Sequence, residues 1–154
     1  MQIENKQKGH TARYLNGKGL KAGIVVARWN PEITAGLLES ALEALKKSGV
    51  SAKDIEVVKV AGSVEIPFAL HKMAKLSKRK YDFLVALGCI IKGETPHFDY
   101  VAKMAQEGVL EVMLEDDIPV GFGVLTVNNM KQAKARIHVG GEAALASLEL
   151  GLLK

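Results

Sequence analysis

Four short apolar runs, at 23–27, 55–60, 81–87 and 119–127, each lead into a stretch with helical spacing, and one more helical stretch closes the chain. Two observations turn that order into a fold class. The first run, Gly23-Ile24-Val25-Val26-Ala27, is apolar without alternation, as in a strand covered on both faces. Strand–helix units joined by right-handed crossovers then build one parallel sheet between two helical layers. The sequence therefore predicts an α/β chain, a three-layer α/β/α sandwich with a four-stranded parallel sheet. No linker, internal repeat or low-complexity segment appears. The expected organisation is an arm at 1–20 and a single domain at 21–154.

The arm is polar, carries Gly9, Gly17 and Gly19, and has no clear period. It reads as a flexible arm or as an edge strand added to a neighbour. After the first strand comes the loop Arg28-Trp29-Asn30-Pro31. Asn30 is the expected cap, Pro31 opens a helix to about residue 48, and Gly49 stops it. Ile33, Leu37, Ala41, Ala44 and Leu45 form its apolar stripe, and Lys46 and Lys47 suit its C-terminal dipole. Past the second strand, Ala61-Gly62-Ser63-Val64-Glu65 turns the chain into a helix opened by Ile66-Pro67 and running to about residue 78. Its core face is Ile66, Ala69, Leu70, Met73 and Leu76.

The third strand leads into Leu87-Gly88-Cys89-Ile90-Ile91-Lys92-Gly93-Glu94-Thr95-Pro96-His97-Phe98-Asp99-Tyr100. Gly88 and Gly93 loosen the turn, Thr95 is the expected cap, and Pro96 takes the first position of a helix to about residue 115. Val101, Met104, Ala105, Gly108, Val109 and Val112 give that helix its stripe. The fourth strand holds Val120-Gly121-Phe122-Gly123-Val124-Leu125. Asn128 or Asn129 caps a short helix to about residue 137, Gly140-Gly141 breaks it, and 142–152 forms the last helix.

The 154 residues are 48% hydrophobic and 25% charged, an ordinary globular balance in a chain long enough to bury a core. No run approaches the roughly 20 apolar residues of a membrane span, and the N-terminus lacks the apolar segment of a secretory signal. One cysteine excludes an internal disulfide and suits a reducing cytoplasm. The net charge of +4 is scattered, with one cluster at Lys75-Leu76-Ser77-Lys78-Arg79-Lys80 on a solvated helix end. It suits anionic metabolites, not nucleic acid or a membrane.

In parallel α/β sheets the site lies beyond the carboxyl ends of the strands, and the unusual residues fall there. The loop at 88–96 aims free N–H groups at one spot with a helix dipole behind them, which suits phosphate. His97, in the first turn, is favoured as a neutral ring that can take a proton. Trp29 either packs on its own helix or forms a platform for a planar heterocycle; a lone Trp at a strand's end favours the platform. Glu65 either decorates a helix start or accepts hydrogen bonds from a polar ligand. Asp99 either orients His97 or complements the dipole. Phe122, between two glycines, reads as strand core. Cys89, with no base or second cysteine nearby, reads as pocket lining. His10, His71 and His138 have no comparable setting. Metal spacing, GxGxxG and Walker motifs are all missing from the sequence, which disfavours a metal, a dinucleotide and an NTP. A third strand ending in Gly88-Cys89 instead of an aspartate disfavours a receiver-type switch. The residues alone describe a cytoplasmic enzyme handling a flat ring and a phosphate by acid–base chemistry.

From about residue 20 to 152 the chain resembles the lumazine synthase family. The resemblance is carried by Ala27-Arg28-Trp29-Asn30, Ala61-Gly62-Ser63-Val64-Glu65-Ile66-Pro67, the stretch from Leu87 to Tyr100, and Gly121-Phe122-Gly123-Val124-Leu125-Thr126. It implies a flavodoxin-like fold and the penultimate step of riboflavin biosynthesis. There 5-amino-6-(D-ribitylamino)uracil condenses with 3,4-dihydroxy-2-butanone 4-phosphate, releasing phosphate and water without a cofactor. It places the pyrimidine on Trp29 and its edge against Cys89, Ile90 and Ile91. The ribityl chain falls to Ser63, Val64 and Glu65, with Gly62 before them and Asn30 nearby. Gly93, Glu94 and Thr95 cradle the phosphate, and His97 shuttles protons. Phe122 closes the pocket and Arg136 pairs with phosphate, both from the adjacent subunit.

The resemblance also implies a homo-oligomer built from pentamers, packed in some members into an icosahedral shell, with riboflavin synthase as a candidate partner. One departure follows Arg136: a longer glycine- and lysine-rich family connection is reduced to Ile137-His138-Val139-Gly140-Gly141, and a family lysine near phosphate has no counterpart. Glu94 adds a negative charge to the phosphate loop. These differences motivate an alternative, a catalytically weak shell or scaffold of the same fold that binds flavin-like ligands.

Overall fold

The computed structural model describes residues 15–76 and 80–153. The strands are β1 (Ala22–Ala27), β2 (Ile55–Val60), β3 (Phe83–Ile91) and β4 (Val120–Val127). The helices are α1 (Pro31–Lys47), α2 (Ile66–Leu76), α3 (His97–Glu115), α4 (Met130–Lys134) and α5 (Val139–Gly151). All four strands are parallel, in the order β2-β1-β3-β4. The sheet is the expected α/β sandwich, with β1 and β3 central.

Strand alternation sorts side chains into two cores. Ala22, Ile24 and Val26 of β1 and Phe83, Val85 and Leu87 of β3 face α1 and α5. Val25, Ala27, Leu84, Ala86 and Ile90 face α2 and α3. The central strands are buried nearly throughout because helices cover both faces. The edge strand β2 mixes exposed and half-buried positions and buries none fully. On α1, Ile33, Leu37, Ala41 and Leu45 are buried as expected and Ala44 is half-buried.

Several local expectations are corrected. The third strand runs on to Ile91, so Gly88 lies inside β3 and not in a turn. A Cβ there would stand 2.6 Å from Ser63 Oγ and 3.3 Å from Ile66 Cδ1, which explains glycine in a strand interior. α3 begins at His97 with Pro96 in the cap position, while the Thr95 hydroxyl accepts from the His97 N–H at 3.4 Å. Met104 is exposed, because α3 buries the narrower stripe Ala105, Val109 and Val112.

Asn129, as expected, caps α4, accepting from the Gln132 N–H at 2.9 Å, but α4 ends at Lys134. Gly140 and Gly141 do not break a helix; they lie in the first turn of α5. A Cβ on Gly140 would collide with the Leu37 carbonyl, and one on Gly141 would stand 3.0 Å from Ser40 Oγ. The glycines let α5 lie directly on α1.

Residues 15–20 hold no strand; Gly17 N–H donates to the Ser48 carbonyl at 2.6 Å. An added edge strand from the rest of the arm, and residues 77–79 of the basic cluster, lie outside the described residues. Among the described residues, no helix is long and apolar enough to cross a membrane.

Candidate active site

Four segments meet at the carboxyl end of the sheet: the β1–α1 loop, a 3-10 turn at Ser63–Glu65, the last residues of β3, and the start of α3. Between them is a cavity of about 460 Å³. Its walls include Trp29, Asn30, Gly62, Ser63, Val64, Glu65, Cys89, Ile90, Ile91, Gly93, Thr95 and His97, so the structure brings together most of the candidates.

The β1–α1 loop is held in place. Trp29 N–H donates to the Ala61 carbonyl at 3.0 Å, and the indole is left 73% exposed at the cavity. Asn30 sits in the cap position of α1 but its side chain does not cap. Its Nδ2 donates to the Cys89 carbonyl at 2.9 Å. The adjoining turn is closed by Glu65, whose Oε2 accepts from the Gly62 N–H at 3.0 Å. Glu65 thus decorates its turn and also borders the cavity, so the two readings of this residue coexist.

Ser63 is 7% exposed, and no hydrogen bond reaches its hydroxyl from any described residue. Cys89 lines the cavity from β3, and burial pushes its thiol up to about 11. It is therefore a neutral thiol near pH 7, a wall and not a nucleophile. His97 is exposed at the rim. Asp99 makes no hydrogen bond to it; the Asp99 N–H donates to the Pro96 carbonyl at 3.0 Å, so Asp99 belongs to the helix start. Around Gly93 a Cβ would meet nothing within 4 Å, which leaves the loop open to a ligand.

Three candidates stand outside this cavity. Glu94 is exposed on the loop but is not part of the wall. Phe122 is half-buried on β4, opposite Ala86, and packs with the α2–α3 core. Arg136 lies after α4, half-buried, with its guanidinium donating to the Gln132 carbonyl at 3.0 Å. The sequence reading missed Ala61, Phe98 and Val101, which complete the wall. Phe98 and Val101 share a face of α3 at helical spacing, a signal that could have found them. Among the described residues no three His, Cys, Asp or Glu side chains gather as a metal site. A wider groove of about 750 Å³ beside α1 and β2 holds none of the candidates.

A parallel α/β sheet with a pocket at its strand ends, largely apolar with a few convergent polar groups, one exposed aromatic and one histidine on the rim, fits the class of α/β enzymes that work on small metabolites. A family model described as 6,7-dimethyl-8-ribityllumazine synthase matches residues 19–154. Two relatives called 6,7-dimethyl-8-ribityllumazine synthase, from two strains of Clostridium kluyveri, are each 45% identical over 144 residues, covering 90% of this chain and 92% of the relative. The chain belongs to the 6,7-dimethyl-8-ribityllumazine synthase family and is a transferase of riboflavin biosynthesis.

Proposed function

We propose that the cavity at the strand ends condenses 5-amino-6-(D-ribitylamino)uracil with 3,4-dihydroxy-2-butanone 4-phosphate, releasing phosphate and water. The observation that carries this is Ser63. Its hydroxyl lines the cavity beside the Glu65 carboxylate and has no partner among the described residues, so a ribityl polyol finds a donor and an acceptor side by side. Ser63, Val64 and Glu65 take the ribityl chain, with Gly62 beside them. Trp29 covers the pyrimidine, and Cys89, Ile90 and Ile91 meet its edge. Gly93, Glu94 and Thr95 present N–H groups to the phosphate, backed by the α3 dipole. His97 takes and returns protons during imine formation and phosphate loss.

Phe122 and Arg136 act in this reading from an adjacent subunit. Their position away from their own chain's cavity supports that, as does an Arg136 guanidinium with most of its N–H groups uncommitted among the described residues. The assembly is a homo-oligomer built from pentamers, in the cytoplasm, with riboflavin synthase as the candidate partner and residues 1–20 as an arm ahead of one domain. A family match starting at 19 supports that boundary.

The test mixes the purified protein with both substrates and follows lumazine fluorescence and phosphate release beside an enzyme-free control. Acceleration of both is expected. A rate equal to the control would leave the shell or scaffold reading in its place.

A further inference from the structure

The backbone ladder between β1 and β3 ends at the pair Val26 and Leu87. Nearer the cavity mouth the two segments are joined by a side chain: Asn30 Nδ2 to the Cys89 carbonyl, across 59 residues of sequence. Asn30 is also left-handed, with φ 59° and ψ 58°, a conformation that Asn tolerates better than most side chains. Its own carbonyl starts α1, accepting from the Ile33 and Thr34 N–H groups at 3.0 and 3.1 Å. Directly before it Trp29 is anchored to Ala61. One residue therefore turns the chain after β1, starts α1 and ties the loop to β3.

We propose that Asn30 is a positioning residue: it sets the gap between the Trp29 ring and the end of β3, and its amide serves the Cys89 carbonyl, not the substrate. The inference rests on the reading that this gap receives the ring of 5-amino-6-(D-ribitylamino)uracil. With Nδ2 engaged, only Oδ1 remains for a ligand. That makes Asn30→Asp and Asn30→Gly an informative pair. Both substitutes adopt the left-handed conformation, and both lose the amide donor, but Asp keeps the acceptor oxygen.

In both variants KM for 5-amino-6-(D-ribitylamino)uracil is expected to rise roughly tenfold, the weight of one hydrogen bond, with kcat and KM for the butanone phosphate within about threefold. The phosphate loop starts beyond Ile91 and Lys92, which β4 holds through Val127 independently of this tie. Amide exchange at Trp29, measured without ligand, is expected to quicken in both variants. An unchanged KM in Asn30→Asp with a raised one in Asn30→Gly would make Oδ1 a ligand and overturn the proposal. So would wild-type kinetics in both, a parallel rise of both KM values, or unaltered exchange at Trp29. Should the parent protein itself show no turnover of 5-amino-6-(D-ribitylamino)uracil, the substrate reading fails, and Trp29 exchange alone then upholds or overturns the tie.

Discussion

The two loops that face each other across the cavity are built in opposite ways. The β1–α1 loop is fastened by the Trp29–Ala61 and Asn30–Cys89 hydrogen bonds. The β3–α3 loop, Gly93-Glu94-Thr95, is exposed, and among the described residues its one side-chain bond is the 3.4 Å contact between Thr95 and the His97 N–H. In the proposed reading the fastened loop takes the flat ring, which is recognised by a fixed gap, and the open loop takes the phosphate, which is recognised by N–H groups that must be free when it arrives.

Substitutions can break this contrast on either side. The largest effect is expected from His97→Ala: turnover should drop roughly 10²-fold or more with the fold intact, measured as lumazine formed above the enzyme-free rate. In β3, to which the fastened loop is tied, Gly88→Ala drives a methyl against Ser63 and Ile66 and should cost about 1–3 kcal/mol in denaturant unfolding. Trp29→Ala leaves α1 in place and should raise KM for the ribitylaminouracil roughly tenfold, read by initial rates.

Cys89 adds a pH signature. Its thiol is raised from 9.0 to about 11 by burial, so between those values the unfolded chain loses a proton that the folded chain keeps. Stability should therefore fall as pH climbs through that window, and Cys89→Ala should lessen the slope in unfolding curves taken across it, leaving the part due to Tyr81 and Lys80, whose proton affinities are also raised. The smallest effect belongs to the open side. Gly93→Ala finds empty space, and its stability should stay within about 0.5 kcal/mol of the parent by the same unfolding measurement.

The sequence made legible whatever depends on neighbours in the chain. The second strand falls at Ile55–Val60 as read, and Pro31 opens α1 where expected. The convergence of Trp29, Ser63, Glu65, Cys89 and His97 followed from where parallel sheets place their strand ends. What escaped depends on distant partners. Gly88 looked like a turn residue, because nothing nearby in sequence announces the Ser63 hydroxyl packed against it. Gly140-Gly141 looked like a helix break for the same reason; the surface that demands them is on α1. Asn30 has the composition of a cap, yet its amide bonds to β3. Phe122 and Arg136 were singled out by resemblance alone, and the cavity of a single chain excludes both.

The glycine pair at the start of α5 acts as a notch that sets where this helix stops along its neighbour. Sliding α5 by one turn would bring Ala143 or Ala144 to the Leu37 carbonyl, where a methyl has no room. α5 is thus indexed to α1 whatever the length of chain leading into it. Residues gained or lost between α4 and α5 must then shift the α4 side of the join, which carries Arg136. Connection length at this point is a means of moving one guanidinium while the rest of the sandwich stays where it is.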